Sequence, residues 1–129
     1  MCQLNEPFVN PCQGGFQSLA AAALDKDVSK CRVDVPWLCD LGGVTVGRIK
    51  GWRPDWAEGL GYYDTVNMAK RIQCETNIVA GLGDYVCPPS GVAVLYNNLK
   101  SRKLLEFSQG KTHGYTPRNA QKITLKGES

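Results

Sequence analysis

Apolar residues along the chain alternate between helical and strand-like spacing. Residues 13–24, Gln-Gly-Gly-Phe-Gln-Ser-Leu-Ala-Ala-Ala-Ala-Leu, enter through glycines and continue in the strongest helix former. The pattern predicts a helix closed by Asp25-Lys26-Asp27. Cys31-Arg32-Val33-Asp34-Val35-Pro36-Trp37-Leu38 is a β-branched run that its proline stops. Residues 41–61 are glycine-rich, hold two of the three tryptophans and read as an irregular excursion. From Tyr63 to Ile72 the spacing is helical again, with Val66, Ala69 and Ile72 on one stripe. Residues 76–84 form a short apolar strand running into a glycine-bracketed acid, Asp84. Pro88-Pro89-Ser90 opens a further helix reaching about Leu99, since proline is tolerated in a first turn. Lys103-Leu104-Leu105-Glu106-Phe107 is the last predicted strand, and residues 118–129 read as a polar tail with little pattern.

Strands alternating with helices predict an α/β fold of about three parallel strands joined by right-handed crossover helices. Functional groups in such sheets gather beyond the carboxyl ends of the strands. Cys12 precedes the first helix, Asp84 ends a strand and His113 follows the next, so all three are expected at one edge of the sheet. No repeat or second domain is evident, and residues 1–129 read as one domain with a possible strand stub at Phe8-Val9.

Composition narrows the function classes. The 129 residues are 43% hydrophobic and 21% charged, as in an ordinary globular protein. A net charge of +3 falls short of the clustered basic surface expected of a nucleic-acid binder. No apolar run approaches the roughly 20 residues that cross a bilayer, and the opening residues lack the pattern of a signal peptide. The six cysteines form no CxxC pair and no zinc-finger spacing. They are expected to be free thiols in a cytoplasmic protein.

Asn10-Pro11-Cys12-Gln13-Gly14, followed by the alanine-rich helix, has the outline of a G-x-S-x-G nucleophile elbow, with asparagine for the first glycine and cysteine for serine. The order of nucleophile position, acid and histidine is that of the α/β-hydrolases. Further segments sharpen the likeness: Leu19-Ala20-Ala21-Ala22, Asp34-Val35-Pro36-Trp37-Leu38-Cys39-Asp40, Tyr63-Asp64 with Asn67-Met68-Ala69, Gly81-Leu82-Gly83-Asp84 before Cys87-Pro88-Pro89-Ser90, and Gly110-Lys111-Thr112-His113-Gly114. Together, from about Asn10 to Pro117, the chain resembles the C-terminal part of the acetyl xylan esterase and cephalosporin C deacetylase family. The resemblance implies Cys12 at the nucleophile position, Asp84 as orienting acid, His113 as base and the Gln13 backbone N–H as half of an oxyanion hole.

The chain departs from the family pattern in three ways: the thiol at position 12, the lack of the strands before the elbow, and the lack of the loop that supplies a second oxyanion donor. Losing such a donor costs about 100- to 1,000-fold in kcat. Missing strands also leave sheet edges uncovered, and an isologous homodimer is the expected remedy. Two catalytic routes follow for an ester hydrolase acting on a small-molecule substrate. In one, Cys12, His113 and Asp84 act as a carboxylesterase triad. In the other, the same three residues ligate a divalent metal, zinc above all, that hydrolyses phosphodiesters or activated esters without an oxyanion hole. The second is preferred, because truncation does not cripple it, and Asp34 is a reserve ligand. A non-catalytic dimerising remnant is the third reading.

The bland readings stand beside these. A lone histidine is more often a surface group than a catalyst, an aspartate after glycine is often only a turn residue, and a thiol is often an inert buried group. Trp37, Trp52, Trp56, Tyr62 and Tyr63 read as core or interface aromatics, and Lys111 and Arg118 as solvated charges.

Overall fold

The computed structural model describes residues 10–43, 45–49 and 52–128. Its elements follow in the order β1 (Asn10–Cys12), α1 (Gln13–Leu24), β2 (Lys30–Pro36), α2 (Thr65–Ala69), β3 (Glu75–Gly81), α3 (Pro89–Asn98), β4 (Lys103–Ser108) and β5 (Lys122–Gly127). Short 3-10 turns at Leu41–Gly43 and Leu60–Tyr63 punctuate the long β2–α2 connection. The strands pair in chain order, β1 to β4 parallel and β5 antiparallel to β4. The chain is an α/β protein, a mixed five-stranded sheet with helices in the crossovers between its parallel strands.

One face of the sheet carries the core. Along β2, Cys31 and Val33 are buried while Lys30 and Arg32 are exposed. Along β3, Thr76, Ile78 and Ala80 are buried between half-covered neighbours. Sequential parallel strands with right-handed crossovers place their helices on a single face. In agreement, α2 touches both α1 and α3. Leu19, Ile72, Ile78, Leu95 and Leu105 are fully enclosed in the resulting cluster. Truncating such a residue to alanine costs about 2–5 kcal/mol.

Three elements differ from expectation. The helix read from Tyr63 to Ile72 is shorter, Thr65–Ala69, because Asp64 caps it by accepting the Val66 N–H at 3.0 Å and a 3-10 turn precedes it. Among the described residues the parallel strands number four, because Asn10–Cys12 pairs with β2; the stub at Phe8-Val9 lies outside them. Residues 122–127, read as part of an unpatterned tail, form β5, registered along the whole length of β4 from Lys103↔Gly127 to Ser108↔Lys122.

Candidate active site

The site lies beyond the carboxyl ends of β1, β3 and β4. At β1 the chain turns directly into α1, and the residue at the turn, Cys12, has φ 50° and ψ −114°. A side chain there is strained, at a cost on the order of 1–3 kcal/mol, and such strain persists only where the surroundings impose it. The imposing feature is a bulge. Pro11 pairs with Asp34 but Cys12 pairs with Pro36, so Val35, at φ 41°, is passed over. The Trp37 N–H then donates to the Cys12 carbonyl at 3.2 Å, locking the turn from the β2 side. The elbow leaves Cys12 half-buried at the head of α1. The Gln13 N–H that follows is among the first helical amides, which have no partner within a helix.

Asp84 and His113 arrive on loops stitched together at backbone level. The Gly83 N–H donates to the Lys111 carbonyl at 2.9 Å and the Leu82 N–H to the Ser108 carbonyl at 3.1 Å. This close approach requires glycine, since a Cβ at Gly81 would sit 2.5 Å from the Lys111 carbonyl oxygen. The Asp84 carboxylate is buried. Its Oδ1 accepts the N–H groups of Val86 at 2.9 Å and Cys87 at 2.8 Å, and its Oδ2 lies 3.1 Å from His113 Nδ1. That contact makes Nδ1 the protonated nitrogen when the ring is neutral and leaves Nε2 as the free base. The His113 ring is exposed at the rim, and one of its nitrogens lies within 4.8 Å of the sulfurs of Cys12 and Cys87, which are themselves as close.

The elbow, the paired acid and histidine, and their order in the chain are features of α/β-hydrolases. The family model for acetyl xylan esterase matches residues 54–126, more than half of the chain. The chain belongs to the acetyl xylan esterase family. An acetyl esterase of Xylanibacter ruminicola is 35% identical over 101 residues, covering 70% of this chain and 23% of that protein. The solved acetyl xylan esterase 1 of a Thermoanaerobacterium species superposes with a TM-score of 0.69 at 34% identity, covering 84% of this chain and 40% of that one. An acetyl xylan esterase of a Paenibacillus species gives 0.68 at 28% identity, with 80% and 38% covered. A monoacylglycerol lipase of Paleococcus ferrophilus, 17% identical with a TM-score of 0.60, shares the fold. The chain thus spans well under half the length of these acetyl xylan esterase relatives.

Within this family frame the structure gathers Cys12, Asp84, His113 and the Gln13 backbone at one edge, but it rearranges the ligand set anticipated for a metal. Both carboxylate oxygens of Asp84 are directed at the ring and two amides. The potential donors that cluster are Cys12, Cys87 and His113. Asp34 is elsewhere too. It pairs with Lys111, Nζ to Oδ2 3.4 Å, and Lys111 also donates to the Thr116 hydroxyl at 2.7 Å. Lys111 is therefore a buried partner and not the solvated charge expected, whereas Arg118 is exposed.

Trp37 and Trp52 stack with centroids 5.4 Å apart and planes 20° apart. They line, with Cys12, Gln13 and Val86, an open cavity of about 320 Å³ beside the thiol. Trp56, Tyr62 and Tyr63 are exposed.

Two contributors escaped the sequence reading. Buried Asp64 accepts the N–H groups of Asp40 at 3.0 Å and Leu41 at 2.8 Å as well as capping α2. It thereby anchors the loop that leaves β2, on which Asp40 grips Arg48 through two 2.7 Å contacts. The other is Cys87, three residues beyond Asp84. Burial, then the neighbouring Cys12 and Asp84, push its thiol well above the ordinary cysteine range. Its only signal in the sequence is proximity to the acid. Cys12, Cys39 and Cys87 are free thiols. No helix among the described residues is long and apolar enough to cross a membrane.

Proposed function

We propose that the chain hydrolyses acetyl esters of small hydroxylated molecules through a Cys12–His113–Asp84 relay. One observation carries the reading: a thiol on a strained elbow lies within 4.8 Å of a histidine nitrogen, and that histidine is held at 3.1 Å by a buried carboxylate. His113 Nε2 takes the Cys12 proton as sulfur attacks the acetyl carbonyl carbon, and the Gln13 N–H faces the developing oxyanion. Collapse breaks the C–O bond, and the departing alkoxide takes the proton from His113. Water then attacks the thioester with His113 as base, the C–S bond breaks as that proton passes to sulfur, and acetic acid leaves, losing its own proton to solvent. Asp84 keeps the ring in the required tautomer and stabilises it when charged. The stacked Trp37 and Trp52 offer an apolar wall for the acyl or alcohol portion.

Relatives named for acetyl ester and acetyl xylan hydrolysis favour this route over the metal-assisted phosphodiester chemistry preferred from sequence alone. The test is hydrolysis of a chromogenic acetyl ester. The expected result is turnover that survives a chelator and is abolished by iodoacetamide, with a transient acetyl thioester on Cys12 seen by mass spectrometry. Turnover that iodoacetamide leaves untouched would refute the proposal.

The same proposal includes self-association. β1 is three residues long and ends the sheet of described residues with its outer side unpaired. Edge strands invite pairing, and a second copy is the partner always at hand. Light scattering should give twice the chain mass; a folded, monodisperse monomer would contradict it.

A further inference from the structure

We infer that Cys12, Cys87 and His113 form a binding site for a thiophilic metal cation, zinc above all, and that occupancy switches the ester chemistry off. The blocking half rests on the hydrolytic proposal; the binding half does not.

The donor set argues for this class of ion. Two sulfurs and one imidazole nitrogen suit zinc and other soft cations, whereas magnesium and calcium take oxygen ligands. The carboxylate nearest to the cluster, Asp84, already spends one oxygen on the amides of Val86 and Cys87 and the other on His113. The spacing is close to what a tetrahedral ion needs. Zinc–sulfur and zinc–nitrogen bonds of roughly 2.3 and 2.0 Å put neighbouring ligand atoms about 3.5 Å apart. The three donors already lie within 4.8 Å of one another, so closure asks for a shift on the order of an ångström. Half-buried Cys12 and exposed His113 have room to make it, while buried Cys87 stays fixed below them.

The surroundings prepare the histidine as well. Metal-bound imidazoles commonly donate their second N–H to a carboxylate, which fixes the ring and raises its basicity. Asp84 supplies that contact at His113 Nδ1 and leaves Nε2 for the ion. The fourth position would open toward the cavity lined by Trp37, Trp52 and Val86, which provides an entry path. Binding replaces the proton of each thiol with the metal and releases both protons to solvent. It also removes the hydrolytic nucleophile and base together. Cys87, which the ester relay does not use, gains a role as the anchoring ligand.

The test begins with metal-free protein and uses zinc competed against a chromophoric chelator, with cobalt as spectroscopic probe. One ion should bind per chain, and cobalt should show thiolate charge-transfer absorption. Cys87→Ala and Cys12→Ser should each weaken zinc by about tenfold or more, at least the loss seen when a mere outer-shell partner is removed. His113→Ala, at an exposed ring, serves as the third variant should a buried-thiol change prevent folding. Zinc should silence acetyl ester turnover at one equivalent, and chelator should restore it. Zinc affinity unchanged in Cys87→Ala overturns the site, and full turnover in zinc-saturated protein overturns the switch. Binding without turnover in the metal-free state would instead refute the hydrolytic proposal and leave the metal site standing.

Discussion

On the Asp84–His113 side of the site, both carboxylate oxygens have partners: two amides and a ring nitrogen hold the carboxylate, and backbone bonds hold the loops that carry both residues. On the Cys12 side the backbone is strained, and the thiol lies beside a second thiol and an open cavity. The acid–base half is thus preorganised by satisfied hydrogen bonds. The nucleophile half is held by a bulge and the first turn of a helix, and it is the half where the chemistry differs from a serine elbow. In such an arrangement the base can be built once and serve either nucleophile.

Substitutions sharpen this contrast, and the largest effects belong to the satisfied half. Asp84→Asn should lower acetyl ester kcat by about 10⁴-fold, the loss seen when a triad carboxylate no longer sets the tautomer. His113→Ala should lose at least as much. A tenfold loss or less, measured with burst-corrected protein, would show that the pair does not drive catalysis. Next in size is Lys111→Met, which strands Asp34 in a poorly exposed position and should destabilise the fold by about 3 kcal/mol, the lower end for a broken buried pair. Urea unfolding monitored by tryptophan fluorescence measures this, and an unchanged midpoint would break the argument.

On the thiol half, Cys12→Ser should raise turnover of an acetyl ester while removing its sensitivity to iodoacetamide. Loss of both activity and sensitivity would show that the elbow is specific for sulfur. The smallest effect concerns Cys39. Burial pushes its thiol up to about 12, with the hydrogen bond from Thr65 only partly offsetting this. It should stay protonated and resist alkylation at pH 8 while half-buried Cys12 is modified, which peptide mapping after limited iodoacetamide treatment would reveal.

Much of the architecture was readable from pattern. Residues 13–24 form the predicted helix because alanine and entering glycines leave few alternatives, and Lys103–Phe107 is a strand between clear breaks. Asp84 and His113 were legible as strand-end residues because topology alone places such positions together. β5 was missed although Ile123 and Leu125 alternate with Lys122, Thr124 and Lys126, the period of a strand. Its residues are almost all exposed, so burial gave no reinforcement, and the pairing with β4 is long-range. Cys87 was missed for the opposite reason: nothing local beyond its nearness to Asp84 distinguishes it, and only the fold brings it to Cys12 and His113. The facing of Trp52 was not readable, because an aromatic in an irregular segment carries no facing information. Trp52 owes its position to a backbone bond from its N–H to the Tyr85 carbonyl at 3.0 Å.

The passed-over residue at Val35 sets a phase. Through Val35 alternate residues of β2 are buried; Pro36 is buried too, so the alternation slips just after it. Because side chains on a strand repeat every second residue, deleting one residue there would invert everything downstream. Trp37, the first residue beyond the strand, would lose the offset that lets its amide clasp the turn beneath the sulfur. The reach of the wall beside the thiol is therefore written in chain parity, and a frame change of a single position would erase it without altering any reacting group.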